Sequence, residues 1–199
     1  MTALSRFPDL PAESAAFEDL RRWLDPLGRR TTAADDFFDV CALESEDKPM
    51  PEPYRRLLVH DSDMTSTLER YYGERPCLEV LAKLRRGTGL FRKVLLRGTG
   101  AGRVMELGAI RIELDVLPSR ARFAVLEGAR PLGGILGDHS VGFLSRPQSF
   151  FSLRAGAGLQ RLLGLEREQT LYGRKNFLLT ESGDVLAEVV EILPPVGPS

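Results

Sequence analysis

The chain has 199 residues, 43% of them hydrophobic and 28% charged, and its 27 basic against 28 acidic side chains leave a formal net charge of −1. That profile fits one soluble globular domain with room for a small extra lobe, and a domain of this size buries roughly 70% of its unfolded surface, so neither a disulfide scaffold nor a zinc module is needed. Near neutrality excludes the diffuse positive footprint that duplex nucleic acid or an anionic membrane surface demands, so any bound anion is expected to be small and locally held.

In chain order, Pro8 and Pro11 punctuate the start, and Phe17, Leu20, Trp23 and Leu24 recur at helical spacing within Ala15 to Leu24, before Asp25-Pro26 ends the run. The segment through Asp35-Asp36 and the acidic run Glu44 to Asp47 reads as solvated surface leading to Pro49-Met50-Pro51-Glu52-Pro53. Residues 1–53 are therefore expected to form an N-terminal extension packed on a main domain of residues 54–195, with 196–199 a frayed tail. Within that domain, Asp61-Ser62-Asp63 precedes Met64, Leu68, Tyr71 and Tyr72 at helical spacing, and Gly73 supplies the stop: a capped helix. Strands are expected over Cys77 to Lys83 and Leu90 to Arg97, separated by Arg85-Arg86-Gly87-Thr88-Gly89, with a glycine turn from Gly98 to Gly102 leading to a third strand over Val104 to Leu117. In that third strand Ile110, Ile112, Leu114 and Val116 share one face, and Arg111, Glu113 and Asp115 the other. Pro118-Ser119 opens a helix carrying Phe123, Val125 and Leu126 and closed by Gly128; Arg130 to Leu136 is a tight turn entering a short helix. Val141 to Leu153, Thr170 to Leu179 and Val185 to Leu193 complete the strands. The expected fold class is α+β, an antiparallel sheet with helices packed on it.

Cys41 and Cys77 are the only thiols, in no CxxC and beside no histidine, which suits a reducing cytoplasm. Met1 to Phe7 lacks an apolar signal core, and no apolar run approaches the ~18 residues of a membrane span. With His60 and His139 alone, and no Cys/His cluster, no protein-built metal site is expected. His60 beside Asp61 reads as a capping or surface residue, because neighbours along an extended segment point apart. The glycine-rich Gly98 to Gly102 lacks the Lys-Ser/Thr ending of a phosphate loop.

Charges on faces that should be apolar mark candidate function, since a buried unpaired charge costs several kcal/mol. Arg92 shares a period-two face with Leu90, Val94 and Leu96. On the last strand Glu191 lies in phase with Val185, Ala187, Val189 and Leu193, and Glu188 with Leu186, Val190 and Ile192. Two readings stay open here: a structural ion pair of Arg92 with Glu188 or Glu191, or a cavity in which Arg92 holds a carboxylate while a glutamate moves a proton.

These residues coincide with a wider resemblance. Leu57-Leu58-Val59-His60-Asp61-Ser62-Asp63-Met64-Thr65, Phe91-Arg92-Lys93-Val94-Leu95-Leu96, Arg130-Pro131-Leu132-Gly133 and Leu171-Tyr172-Gly173-Arg174-Lys175 occur in the order of, and resemble, the motifs of the chorismate lyase (4-hydroxybenzoate synthase) family: leucine-rich strand with acidic turn and Met-Thr helix start, arginine-bearing strand, Pro-Leu-Gly turn, and the stretch before the final strand. The resemblance implies a monomer converting chorismate to 4-hydroxybenzoate and pyruvate with no cofactor and no metal, to which the charge balance and hydropathy above add the expectation of no nucleic-acid partner and no membrane, and the cysteine usage a cytoplasmic location. It places Arg92 on the ring carboxylate, Met64, Leu132 and Gly133 around the ligand, and the acid/base glutamate on the last strand. Anchoring on Pro195 selects Glu191 for that role; anchoring on Ser182-Gly183 falls at Val190 and leaves Glu188 as the neighbour on the same face. Related folds also serve as effector-binding domains of transcription regulators, so a non-catalytic binder of a small aromatic carboxylate, or a lyase giving another hydroxy- or aminobenzoate, remains alongside.

Overall fold

The computed structural model describes residues 38–39, 50–100 and 102–196. The expected helix Ala15 to Leu24 and the acidic run Glu44 to Asp47 lie outside the described residues. Helices α1 (Tyr54–Leu58) and α2 (Met64–Tyr72) precede strands β2 (Pro76–Arg86), β3 (Gly89–Gly98) and β4 (Val104–Glu113). Helices α3 (Ser119–Glu127) and α4 (Leu132–Asp138) follow, then β5 (Leu144–Ala155), α5 (Ala157–Leu163), β6 (Thr170–Leu179) and β7 (Val185–Leu193). The two-residue strand β1 (Phe38–Asp39) pairs with β5 at one edge.

The sheet runs β1-β5-β6-β7-β4-β3-β2, with every neighbouring pair antiparallel. It consists of two meanders, β2-β3-β4 and β5-β6-β7, joined at the centre where β4 pairs with β7. The α+β class with helices on an antiparallel sheet is the observed architecture.

Local chemistry explains the elements. Asp63 caps α2, its Oδ1 accepting from Ser66 N at 2.8 Å, and Gly73 ends it at φ 69°, where a side chain would be strained. The β2-β3 turn is tighter than the sequence suggests: Arg86 already pairs with Gly89, leaving only Gly87-Thr88 outside the ladder. The Leu57-Leu58 run, expected as a strand by its resemblance, is helical. Both leucines are buried in the same apolar cluster, which a helix allows and the alternating faces of a strand forbid. The alternation of Val104 to Leu117 also overshoots, because the strand stops at Glu113 and Leu114–Val116 forms a 3₁₀ turn that leaves Val116 exposed and buries Leu117. Phe123 in α3 is exposed while Val125 is buried. The glycine- and leucine-rich connection after β5 folds as α5, and Val196 is held by its N–H donating to Tyr54 Oη at 3.0 Å.

Three apolar clusters hold the layers together. On one face, Leu95, Leu107, Ala109, Val190 and Ile192 pack with Phe151, Leu153 and Leu171 under Leu159 and Leu163 of α5. The other face carries two clusters. Leu90, Ile110, Ile112, Ala187 and Val189 pack under α3 and α4, whereas Leu96, Met105 and Leu193 pack under α1 and α2. Each fully buried leucine contributes about 1.5–3 kcal/mol. Between those two clusters the sheet carries a polar band, and that band positions the site.

Candidate functional site

The band is set by register. Arg92 on β3 lies opposite Ile110, Val94 opposite Gly108, and Leu96 opposite Glu106 on β4; Gly108 faces Glu191 on β7, and Glu191 faces Arg174 on β6. Four adjacent strands thus each place a charged side chain on the face under α1–α4, at the height where the two apolar clusters part. Arg92, Glu106, Arg174 and Glu191 are only 2%, 4%, 0% and 5% exposed.

Arg92, Glu106 and Glu191, with Asn176, line a cavity of about 60 Å³ whose apolar walls include Leu78, Val94, Leu96, Ile110 and Val189. The N-terminus of α2 (Asp63, Met64, Thr65) and that of α4 (Pro131, Leu132, Gly133) form its roof. Gly133 allows the two helix starts to meet: a Cβ there would stand 2.7 Å from Asp63 Oδ1, the atom that caps α2.

The four charges are not equivalent. Arg174 Nε donates to Glu191 Oε2 in a buried ion pair. The rest of its guanidinium clamps the loop before α2, Nη1 donating to Leu58 O at 3.0 Å and His60 O at 2.9 Å, and Nη2 to Ser62 O at 3.2 Å. His60 closes the same loop. Its Nε2 donates to Leu57 O at 2.7 Å, capping α1, and its Nδ1 accepts from Ser62 N at 3.2 Å. Burial, then the Arg174 charge, lowers the His60 pKa, so the neutral ring is favoured.

Arg92 differs: it forms no ion pair among the described residues, and its buried Nε and Nη1 make no hydrogen bond. Burial lowers its pKa to about 10, which still leaves it charged at neutral pH. The expectation of an Arg92 ion pair with Glu188 or Glu191 is therefore not met, because Arg174 takes Glu191 and Lys175 Nζ takes Glu188 at 2.8 Å. Glu106 is the second unsatisfied group, with its buried Oε2 unpartnered. Desolvation first, then the Glu191 charge, raises its pKa well above the usual carboxylate value, with Asp63 adding to the rise and Arg174 opposing it.

Of the candidates from sequence, Arg92, Glu191, Met64, Leu132 and Gly133 converge on the one cavity, and Glu188 does not. Glu188 pairs in register with Arg111 and Phe177 on the α5-covered face, in phase with Val190 and Ile192, so the sheet itself separates it from Arg92. Sequence reasoning missed Glu106, Arg174 and Asn176. Glu106 stands in phase with Gly108, Ile110 and Ile112, a carboxylate on a face otherwise apolar. A bulge lies just before it: β3 pairs Leu96 with Glu106 and then Arg97 with Val104, leaving Met105 extra, so Met105 and Glu106 both turn to the face under α1–α4 and the alternation is interrupted on that side. Asn176 exchanges hydrogen bonds with Ser145, its Nδ2 donating to Oγ at 3.0 Å.

No protein-family model and no curated protein matches the chain. Solved structures do. The SA0254 gene product of Staphylococcus aureus is similar at a TM-score of 0.51, with 9% identity over 69% of this chain and 90% of that one. PhnF from Mycobacterium smegmatis is similar at 0.51, with 10% identity over 66% of this chain and 63% of that one. The ligand-binding domain of a candidate GntR-family transcriptional regulator from Bordetella bronchiseptica aligns at 0.44, with 13% identity over 61% of this chain and 89% of that one. At these identities the likeness is one of fold, and the chain has the chorismate lyase-like α+β fold. No described helix is long and apolar enough to cross a membrane.

Proposed function

We propose that this protein binds a small organic carboxylate, aromatic or of similar compactness, in the cavity between the sheet and the starts of α2 and α4, with Arg92 as the carboxylate's partner. One observation carries the reading: a buried, charged guanidinium with two unpartnered nitrogens in a cavity wall. Buried polar groups are almost always paired, so an arginine left open inside a fold that supplies carboxylates elsewhere is matched to an anion from outside. Apolar walls suit the body of an organic acid better than an inorganic ion.

Size favours binding over lyase chemistry on chorismate. A cavity needs about 10–15 Å³ to hold one water, and pockets for drug-sized ligands run to about 300–1,000 Å³; a cavity of about 60 Å³ suits a compact acid. The carboxylate assigned by resemblance to proton transfer, Glu191, is also engaged by Arg174. A second reading, cofactor-independent elimination of pyruvate from chorismate, rests on Glu106, a buried carboxyl with an unpartnered oxygen and a raised pKa that suits a proton donor in the same cavity as Arg92.

Titration calorimetry with benzoate and with short aliphatic carboxylates tests the first reading: saturable binding that disappears in Arg92→Met supports it, and no binding of any carboxylate refutes it. A pyruvate-release assay with chorismate tests the second.

A further inference from the structure

Resting on the Arg92 reading, we infer that Glu106 is a second recognition group in the same cavity, selecting carboxylates that carry a hydroxyl or carbonyl oxygen over otherwise identical acids that lack it. Two unsatisfied side chains face one small space, and they reach it from adjacent strands: Arg92 from β3 and Glu106 from β4, four positions apart along the register, since Arg92 lies opposite Ile110 and Leu96 opposite Glu106. The stretch between them is apolar, Val94 from β3 and the bare backbone of Gly108 from β4. A ligand that satisfies both ends therefore has a carboxylate at one end, an apolar middle and one polar oxygen at the other.

The surroundings decide how Glu106 makes that contact. The charged groups around it are Glu191 on β7, Arg174 on β6, Asp63 at the start of α2 and Arg92 on β3; α4 contributes Pro131, Leu132 and Gly133, which carry no charge. Glu191 and Arg174 neutralise each other, and Glu106 has no cation in hydrogen-bonding contact among the described residues. Its carboxyl is thus favoured in the neutral form, whose O–H donates to a ligand oxygen. The neutral form also spares the bound carboxylate a like charge in the same cavity. Gly108 keeps the contact open, because a Cβ there would lie 3.0 Å from Glu106 Oε1 and 3.1 Å from Val94 Cγ2. A site built to hydrogen-bond an oxygen rejects the analogue lacking it, because the buried group is then left unpaired.

The test uses matched acids differing by one hydroxyl: propionate against lactate and 3-hydroxypropionate, and benzoate against its three monohydroxy isomers, titrated into the full chain. In the set that fits the cavity, at least one hydroxy acid binds about tenfold or more tightly than its parent, and its affinity falls as pH rises through the Glu106 titration. Glu106→Gln, whose amide N–H still donates, keeps the preference and loses the pH dependence; Glu106→Leu loses the preference and keeps the parent acid. Equal binding of hydroxy acid and parent, or a preference that survives in Glu106→Leu, overturns the inference while leaving the Arg92 reading intact. Failure of every acid to bind wild type overturns both. If Glu106→Leu does not fold, as its melting curve shows, the pH profile of Glu106→Gln decides: one that still matches wild type overturns the role of Glu106.

Discussion

Arg174 and Glu191 face each other across β6 and β7 in an ion pair from which solvent is excluded, and the same guanidinium holds three carbonyls of the loop leading into α2. One side chain therefore ties the last strand of the sheet to the roof of the cavity. Breaking a buried pair by removing one partner leaves an uncompensated charge and costs about 3–5 kcal/mol. Arg174→Met is expected to lose stability on that scale in urea denaturation. The double variant Arg174→Met with Glu191→Leu recovers part of it, but not the part due to Leu58, His60 and Ser62 carbonyls left without their donor. Full recovery in the double variant would show that the loop clamp contributes nothing.

Arg92 predicts the opposite sign. It is as buried as its neighbours but has no protein anion to compensate it, so the ligand-free fold carries its desolvation cost. Replacing even a buried ion pair with apolar groups of similar volume is often neutral or stabilising by about 1–4 kcal/mol, and an uncompensated charge has no partner to lose. Arg92→Met is expected to raise the melting temperature and abolish carboxylate binding together, the trade of stability for function seen at binding sites. A marked fall in melting temperature would mean that Arg92 serves the fold.

The same contrast explains what the sequence could disclose. Strand periodicity made Arg92 and Glu191 visible, because each interrupts a run of apolar residues at spacing two on an unbulged stretch of strand. Glu106 carries the same spacing-two signal, in phase with Gly108, Ile110 and Ile112, but the Met105 bulge breaks the alternation just before it, so the pattern flanks it on one side only. Arg174 lies within a recognisable stretch, yet its role depends on carbonyls more than a hundred residues earlier in the chain, which no local pattern encodes. Helix boundaries around Asp63 and Gly73 were legible because capping is local chemistry. The helical state of Leu57-Leu58 was not, since it follows from packing both leucines against α2 and the sheet.

Glu106 makes stability depend on pH. Its pKa is raised in the folded state, so the folded protein binds more protons than the unfolded chain between the ordinary glutamate value and the raised one. The stabilisation is fully present below the unfolded value and is lost as pH rises through the folded one. His60 has the opposite sign: its pKa is lowered, so its contribution is present above the ordinary histidine value and lost as pH falls through the folded one. Subtracting one protein from another isolates the carboxyl. The stability of Glu106→Gln minus that of wild type is expected to grow steadily from about pH 4.5 upward, the ordinary carboxyl range, in parallel urea titrations. A difference that stays flat across that range would mean that Glu106 titrates normally.

The two carboxylates of β7 give the sharpest test of which face of the sheet carries the site. Glu188 meets Lys175 on the α5-covered face with both side chains partly exposed, and Glu191 meets Arg174 beside Arg92 under the helices. Partly solvated pairs contribute about 0–1 kcal/mol, so Glu188→Gln should shift stability within that range and leave carboxylate affinity unchanged. Glu191→Gln removes the counter-charge of a fully buried arginine and one of the two carboxylates whose charge raises the Glu106 pKa, so it is expected to cost more than Glu188→Gln in urea and to lower the Glu106 pKa. The pH at which carboxylate affinity falls should then move down in Glu191→Gln, because the like charge that held the Glu106 proton is gone. Were Glu188→Gln to shift that pH instead, the ligand would have to lie on the opposite face of the sheet, among Val190, Ile192 and α5.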